Sequence, residues 1–223
     1  MMLEYVPLLA TRRELSGIDP ATSVRPLPLM EALSTLGADE IGARATEEAA
    51  AAVAEEPGEF RVGLVVIDDA RGGINRTTAE FAHRRGEGGL LERGWITGIL
   101  WTSQAYDRAG IREELLTSVF RAASIVKRGP ARTLREILVQ EGNAMRMAGA
   151  RNPALEPQTL LATRQILLRL LDHEDTPTLV AALFGDPAAR ELGYPPLGLR
   201  PRAGFALALH GRLEPRKKRD SRG

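Results

Sequence analysis

Two neighbouring carboxylates, Asp68 and Asp69, stand where an apolar run gives way to a loop containing Arg71, Gly72, Gly73, Asn75, Arg76 and Thr77. A carboxylate in such a place can act as a general base or hold a hard divalent cation. Adjacent strand residues face opposite sides, so one of the pair points into a given cleft and the other points away. The loop beside them has chemistry of the opposite sign. Arginine grips phosphate or carboxylate in a forked pair, and glycines let backbone amides approach an anion. A helix starting near Thr77 adds amides that favour negative charge. The spacing matches neither the Walker loop nor the dinucleotide glycine pattern, and no lysine stands near to contact a nucleotide phosphate. The alternative is structural: one aspartate caps the loop, the other is solvated, and the turn happens to contain arginines.

A second group of polar residues, Thr102, Ser103, Gln104 and Tyr106, follows the apolar run that ends at Trp101. If the two runs are parallel neighbours, these donors share a cleft with the Asp68–Arg76 loop, and Trp101 is an apolar wall or a core residue. Ser103 is a poor nucleophile candidate. The glycine-flanked elbow is missing, and only His83, His173 and His210 could serve as its base. Glu80 and His83 have the spacing of a helical metal pair, but no second pair accompanies them. Asp172-His173-Glu174-Asp175 reads as a helix end followed by a helix cap.

The elements that must position these residues can be read from periodicity. Phe60 to Asp68 is apolar on both faces, as a central strand covered on both sides would be. Trp95 to Trp101 is the second strand, and a helix from about Thr77 to Arg85 lies between them. The span suffices for a parallel β-α-β crossover, with a hairpin carrying a helical insertion as the competitor. Leu3 to Leu9 is a short strand, Leu29 to Leu36 a short helix, and Ile41 to Glu56 an alanine-faced helix capped by Asp39. Asp107 caps a helix to Val126, and Thr133 with Glu136 forms a capping box for the next. Pro157 opens a leucine-rich helix to about Leu171, suited to a core or to a subunit interface. Asp175 and Asp186-Pro187 start two short helices. Gly204 to His210 alternates like a last strand.

The chain of 223 residues is 43% hydrophobic and 26% charged, near the globular average, with 4% aromatics and no cysteine. Disulfides, thiolate metal sites and a cysteine nucleophile are therefore excluded. Arg212 to Gly223 carries six basic and two acidic residues, net +4 against +1 for the whole chain, which leaves the remainder at −3. The body is thus not a basic nucleic-acid platform, and the tail reads as a solubilising segment. Arginine-for-lysine usage with much alanine points to a GC-rich, bacterial type of coding genome. No run reaches the roughly 18 apolar residues of a membrane span, and no secretory pattern opens the chain, so a soluble cytoplasmic protein is expected.

The expected fold is α/β, with a small mixed sheet of three to four strands covered by six or more helices, most of them in the C-terminal half; α+β is the alternative. Residues 1–28 form an N-terminal extension, 29–211 a single domain and 212–223 a basic disordered tail. Two functions fit. One is a small-anion site, for a phosphate- or carboxylate-containing ligand, built from the 68–78 and 101–106 loops. Asp68 or Asp69 would be base or metal ligand there, in a metal-assisted hydrolase or transferase. The other is a non-catalytic homo-oligomeric scaffold or protein-interaction module. The residue pattern specifies no cofactor.

Overall fold

A computed structural model of the chain describes residues 1–7, 27–69 and 74–211. Arg71, Gly72 and Gly73, the end of the Leu3–Leu9 strand, most of the N-terminal extension and the basic tail lie outside the described residues. The elements are β1 (Met2–Tyr5), α1 (Leu27–Leu36), α2 (Ala38–Ala52), β2 (Glu59–Ile67), α3 (Arg76–Arg84), β3 (Trp95–Trp101), α4 (Arg108–Arg128), α5 (Leu134–Met147), α6 (Pro157–Leu167), α7 (Thr176–Phe184), α8 (Asp186–Glu191) and α9 (Ala203–His210). This is a small, helix-rich α/β fold. No described helix is long and apolar enough to cross a membrane. The chain divides into two compact units, Met1–Ala131 with Ala144–Ala150, and Arg132–Asn143 with Arg151–Gly223.

The first unit holds a three-stranded sheet in the order β1-β2-β3. Its pairs are parallel where mixed pairing was expected: Met2 to Tyr5 align with Glu59 to Val62, and Arg61 to Ile67 align with Trp95 to Trp101. The link between β2 and β3 is therefore the β-α-β crossover, not the hairpin. Strand alternation sends Val62, Leu64, Ile96 and Leu100 to one face, where they join a buried cluster with Ile41, Ala45 and Ala49 of α2 and Ile111, Leu115 and Val119 of α4. The small alanines let α2 lie close against α4. Gly98 serves the same closeness: a Cβ there would stand 3.2 Å from both Leu115 and Leu64. The ring of Tyr5 occupies the space a Cβ on Gly42 would need, and its hydroxyl donates to Asp39 at 2.8 Å. Asp39 lies in the first turn of α2 and the cap position is Gly37, one correction to the expected Asp39 cap.

In the second unit the capping box forms as read. The Glu136 carboxylate accepts from Arg132 and Thr133 amides at 2.8 and 3.2 Å, and the Thr133 hydroxyl accepts from the Glu136 amide at 3.2 Å. Helix α6 ends at Leu167, four residues earlier than its leucine pattern implies. The chain beyond it turns so that the carbonyls of His173 and Leu171 accept from the Leu134 and Arg135 amides, both at 2.9 Å. Capping the orphan amides of α5 competes with continuing α6, and wins. Asp175 caps α7 by accepting from the Thr178 amide at 2.9 Å. Bonds from Thr178 and then His173 pull its pKa down to about 2.

The segment 204–210 is a helix, not the expected strand. Phe205, Leu207 and Leu209 alternate, but the residues between them are alanines, so the segment is equally apolar all round and every residue from Ala203 to Leu209 is buried. Alanine and leucine are strong helix formers, and a helix buried on all sides loses its 3.6 signature. Gly204 touches the backbone of α7 at Ala182 and Leu183, and Phe205 meets Phe184 edge to face at 5.1 Å.

Candidate functional site

The parallel register places the ends of β2 and β3 side by side, and the residues just beyond them meet. Asp68 and Asp69 leave β2; Thr102 and Ser103 leave β3. The Thr102 hydroxyl lies 2.9 Å from Asp68 Oδ1 and 3.2 Å from Asp69 Oδ1, and its oxygen accepts from the Asp69 amide at 3.2 Å. The Ser103 amide donates to Asp69 Oδ1 at 2.9 Å, and the Ser103 hydroxyl donates to Asp69 Oδ2 at 2.5 Å. Both aspartates thus converge on one threonine.

Helix α3 brings the cation. Asn75 caps it, its side chain accepting from the Thr78 amide at 2.9 Å, which places Arg76 at the first helical position and Thr77 beneath it, buried. The Arg76 guanidinium lies 5.3 Å from the centre of the Trp101 ring. It donates to Ser103 Oγ at 3.3 Å and to Gln104 Oε1 at 2.8 Å, and it stands 3.8 Å from Asp69 Oδ2 and from Glu80 Oε2. Glu80 in turn pairs with Arg84 at 2.7 Å. On the other side of β3 the Tyr106 hydroxyl accepts from the Trp101 amide at 2.7 Å.

These contacts set the electrostatics. Burial alone would raise the Asp69 pKa. The bonds from Ser103 and Thr102, with the Arg76 charge, outweigh it and hold the carboxyl below its usual range. Asp69 is therefore a stable anion and a weak base. Burial, assisted by the Glu114 carboxylate, pushes the Tyr106 hydroxyl up to about 12 against the opposing bond from Trp101, so it stays protonated.

Of the residues selected from sequence, Asp68, Asp69, Arg76, Thr102 and Ser103 are brought together. Asn75 and Thr77 build the helix start, and Tyr106 braces the edge of β3. Trp101 is 4% exposed and belongs to the buried set. Glu80 turns its carboxylate to Arg76 and Arg84, and among the described residues no group of three potential ligands could hold a metal. Gln104, expected among the donors of the shared cleft, instead accepts there from Arg76 through its side-chain oxygen. Nothing in the spacing marks it as the partner of Arg76. The chain matches no family model, no curated protein and no solved structure.

Proposed function

We propose that the rim formed by segments 68–78 and 101–106 binds a small oxyanion, carried as a phosphate or carboxylate group, in a cytoplasmic protein. The observation that carries this reading is the state of Arg76. Its side chain is 32% exposed and donates to two acceptors, Ser103 and Gln104. A guanidinium has five N–H groups; two are donated here, and the Asp69 and Glu80 carboxylates stand 3.8 Å from Nη1 and Nε, beyond hydrogen-bond distance, so donor capacity remains for a ligand that competes with them. The remaining polar residues are then holders: Asp69, Thr102 and Ser103 tie the strand ends together and fix the floor on which Arg76 lies.

Charge limits the affinity. Asp69 and Glu80 both stand within 3.8 Å of Arg76, so an arriving anion meets a cation already partly neutralised. One charge-assisted hydrogen bond contributes about 1.5–3 kcal/mol, so two give about 3–6 kcal/mol before the cost of association, and millimolar binding, about 4 kcal/mol, is the tightest to expect. Asp69 is assigned no proton transfer, because its pKa is low and its oxygens are occupied.

A second reading, the non-catalytic scaffold, is favoured by that same saturation: Asp69 and Arg76 satisfy each other. It also draws on Leu161 and Leu168, seven residues apart along α6 and its following turn, 61% and 46% exposed. Calorimetric titration of inorganic phosphate and of acetate into the wild type and Arg76→Ala separates the two. Salt-sensitive millimolar binding that disappears in Arg76→Ala supports the anion site. No heat of binding in the wild type, with a lower melting temperature for Arg76→Ala, leaves the pair as an internal latch.

A further inference from the structure

Arg76, Glu80 and Arg84 follow one another at four-residue steps along α3, a column of cation, anion and cation on one side of the helix. Glu80 is 5% exposed, so its charge needs a partner in a place where water supplies little. It divides its two oxygens. Oε1 accepts from Arg84 Nε at 2.8 Å and lies 2.7 Å from Arg84 Nη2. Oε2 faces Arg76 Nε at 3.8 Å, beyond a hydrogen bond. Asp69, the other carboxylate near Arg76, also stands at 3.8 Å, held there by Ser103 and Thr102.

Three effects give Glu80 to Arg84. On a helix, a glutamate pairs better with a cation four residues after it than with one four residues before. Arg84 lies in the last turn of α3, where the helix dipole favours positive charge, whereas Arg76 opens the helix. The Arg84 side chain is 12% exposed against 32% for Arg76, so its pair with Glu80 is screened less by water and salt.

We propose that Arg84 is a positioning residue of the rim: it holds Glu80 back and so keeps the Arg76 Nε–H open to an anion. The role rests on the anion reading of the rim, but the division of Glu80 between two arginines is a property of the chain by itself. Arg84 is remote from the ligand, since eight residues along a helix span about 12 Å. Without it, the buried Glu80 carboxylate turns to Arg76. Closing the present 3.8 Å to the roughly 2.8 Å of a charge-assisted hydrogen bond takes the Nε–H away from the ligand.

The test uses the full chain labelled with ¹⁵N, in which arginine Nε–H signals report hydrogen bonding through their exchange with water, and acetate as the probe anion. In the wild type the Arg84 Nε–H should exchange slowly and the Arg76 Nε–H fast. In Arg84→Gln the Arg76 signal should become slow, and the dissociation constant for acetate should rise about tenfold, the scale of one charge-assisted hydrogen bond. In the double variant Glu80→Gln with Arg84→Gln, which removes one charge of each sign, acetate should bind as in the wild type. A double variant as weak as Arg84→Gln means that Arg84 acts through its own charge, and overturns the proposal, as does a slow Arg76 Nε–H in the wild type. If acetate binds none of the three proteins, the anion reading of the rim falls, while an Arg76 Nε–H that turns slow in Arg84→Gln still supports the hold on Glu80. If Arg84→Gln does not fold, the wild-type exchange rates and the double variant decide.

Discussion

Asp69 receives donors from the Ser103 amide and hydroxyl and from the Thr102 hydroxyl, beside the Arg76 charge, and its side chain is 2% exposed. Removing its charge leaves those donors facing a neutral group in a buried place. Asp69→Asn should therefore destabilise the fold by about 2 kcal/mol, the scale of a hydrogen bond to a charged group. The dependence on pH has a definite sign. A carboxyl whose folded pKa lies below its unfolded value, about 3.9, stabilises fully above that value and progressively less as pH falls through the folded pKa. The deficit of Asp69→Asn should thus be full at neutral pH and shrink in acid, below about pH 4. Urea denaturation of both proteins across that range measures it; a deficit that does not change with pH would place the cost in geometry, not charge. Asp68 and Asp69 look equivalent in the sequence. What separates them is the position of Ser103, which only the parallel register supplies.

At the scale of elements, two glycines test how tightly the helices are seated. A Cβ on Gly98 would come 3.2 Å from two leucine methyls, which can shift by a few tenths of an ångström. One on Gly204 would strike the carbonyl oxygen of Ala182 and the Leu183 Cα, which are backbone. Gly98→Ala should cost about 1–2 kcal/mol, the lower part of the range for overpacking. Gly204→Ala gains about 1 kcal/mol of helix propensity but must push α9 off α7, so its net cost should still exceed that of Gly98→Ala. Chemical denaturation of the two variants gives the order directly, and the reverse order would mean that α7 and α9 yield more easily than β3 and α4. The same two places mark what the sequence could and could not tell. Gly98 lies in a run whose β-branched and aromatic residues announce a strand, and Trp95–Trp101 was read to the residue. Gly204 opens a run of alternating large and small apolar residues, a pattern that strand and buried helix share. Likewise Asp107, Asp175 and the Thr133–Glu136 box were legible because capping depends on local chemistry. The early end of α6 depends on a distant helix start and was not.

For the molecule as a whole, the central strand is the part that sequence and structure describe alike, and it governs the last prediction. Apolar residues on both faces of 60–68 implied a central strand covered on both sides; β2 is central, flanked by β1 and β3, but only Val62, Gly63 and Leu64 are buried, and Val65, Val66 and Ile67 are half-buried. Its neighbours are unequal. β3 pairs with seven residues of β2 and is braced on its far edge by Tyr106 and Glu114, whereas β1 pairs with four and carries Met2 at 62% exposure. Register parity directs the Gly63 and Val65 amides to β3, inside the ladder. Protection against exchange follows the free energy of the opening that exposes an amide, and edge strands open locally more readily than central ones. Gly63 and Val65 should therefore exchange at the slowest rates of the first unit, and the outward amides of Leu3 and Tyr5 far faster. Hydrogen exchange read by mass spectrometry or NMR resolves this. Equal rates at Gly63 and Leu3 would mean that the sheet opens as one body, and the rim beyond β2 and β3 would then lack the rigid base that holds Asp69 and Arg76 in place.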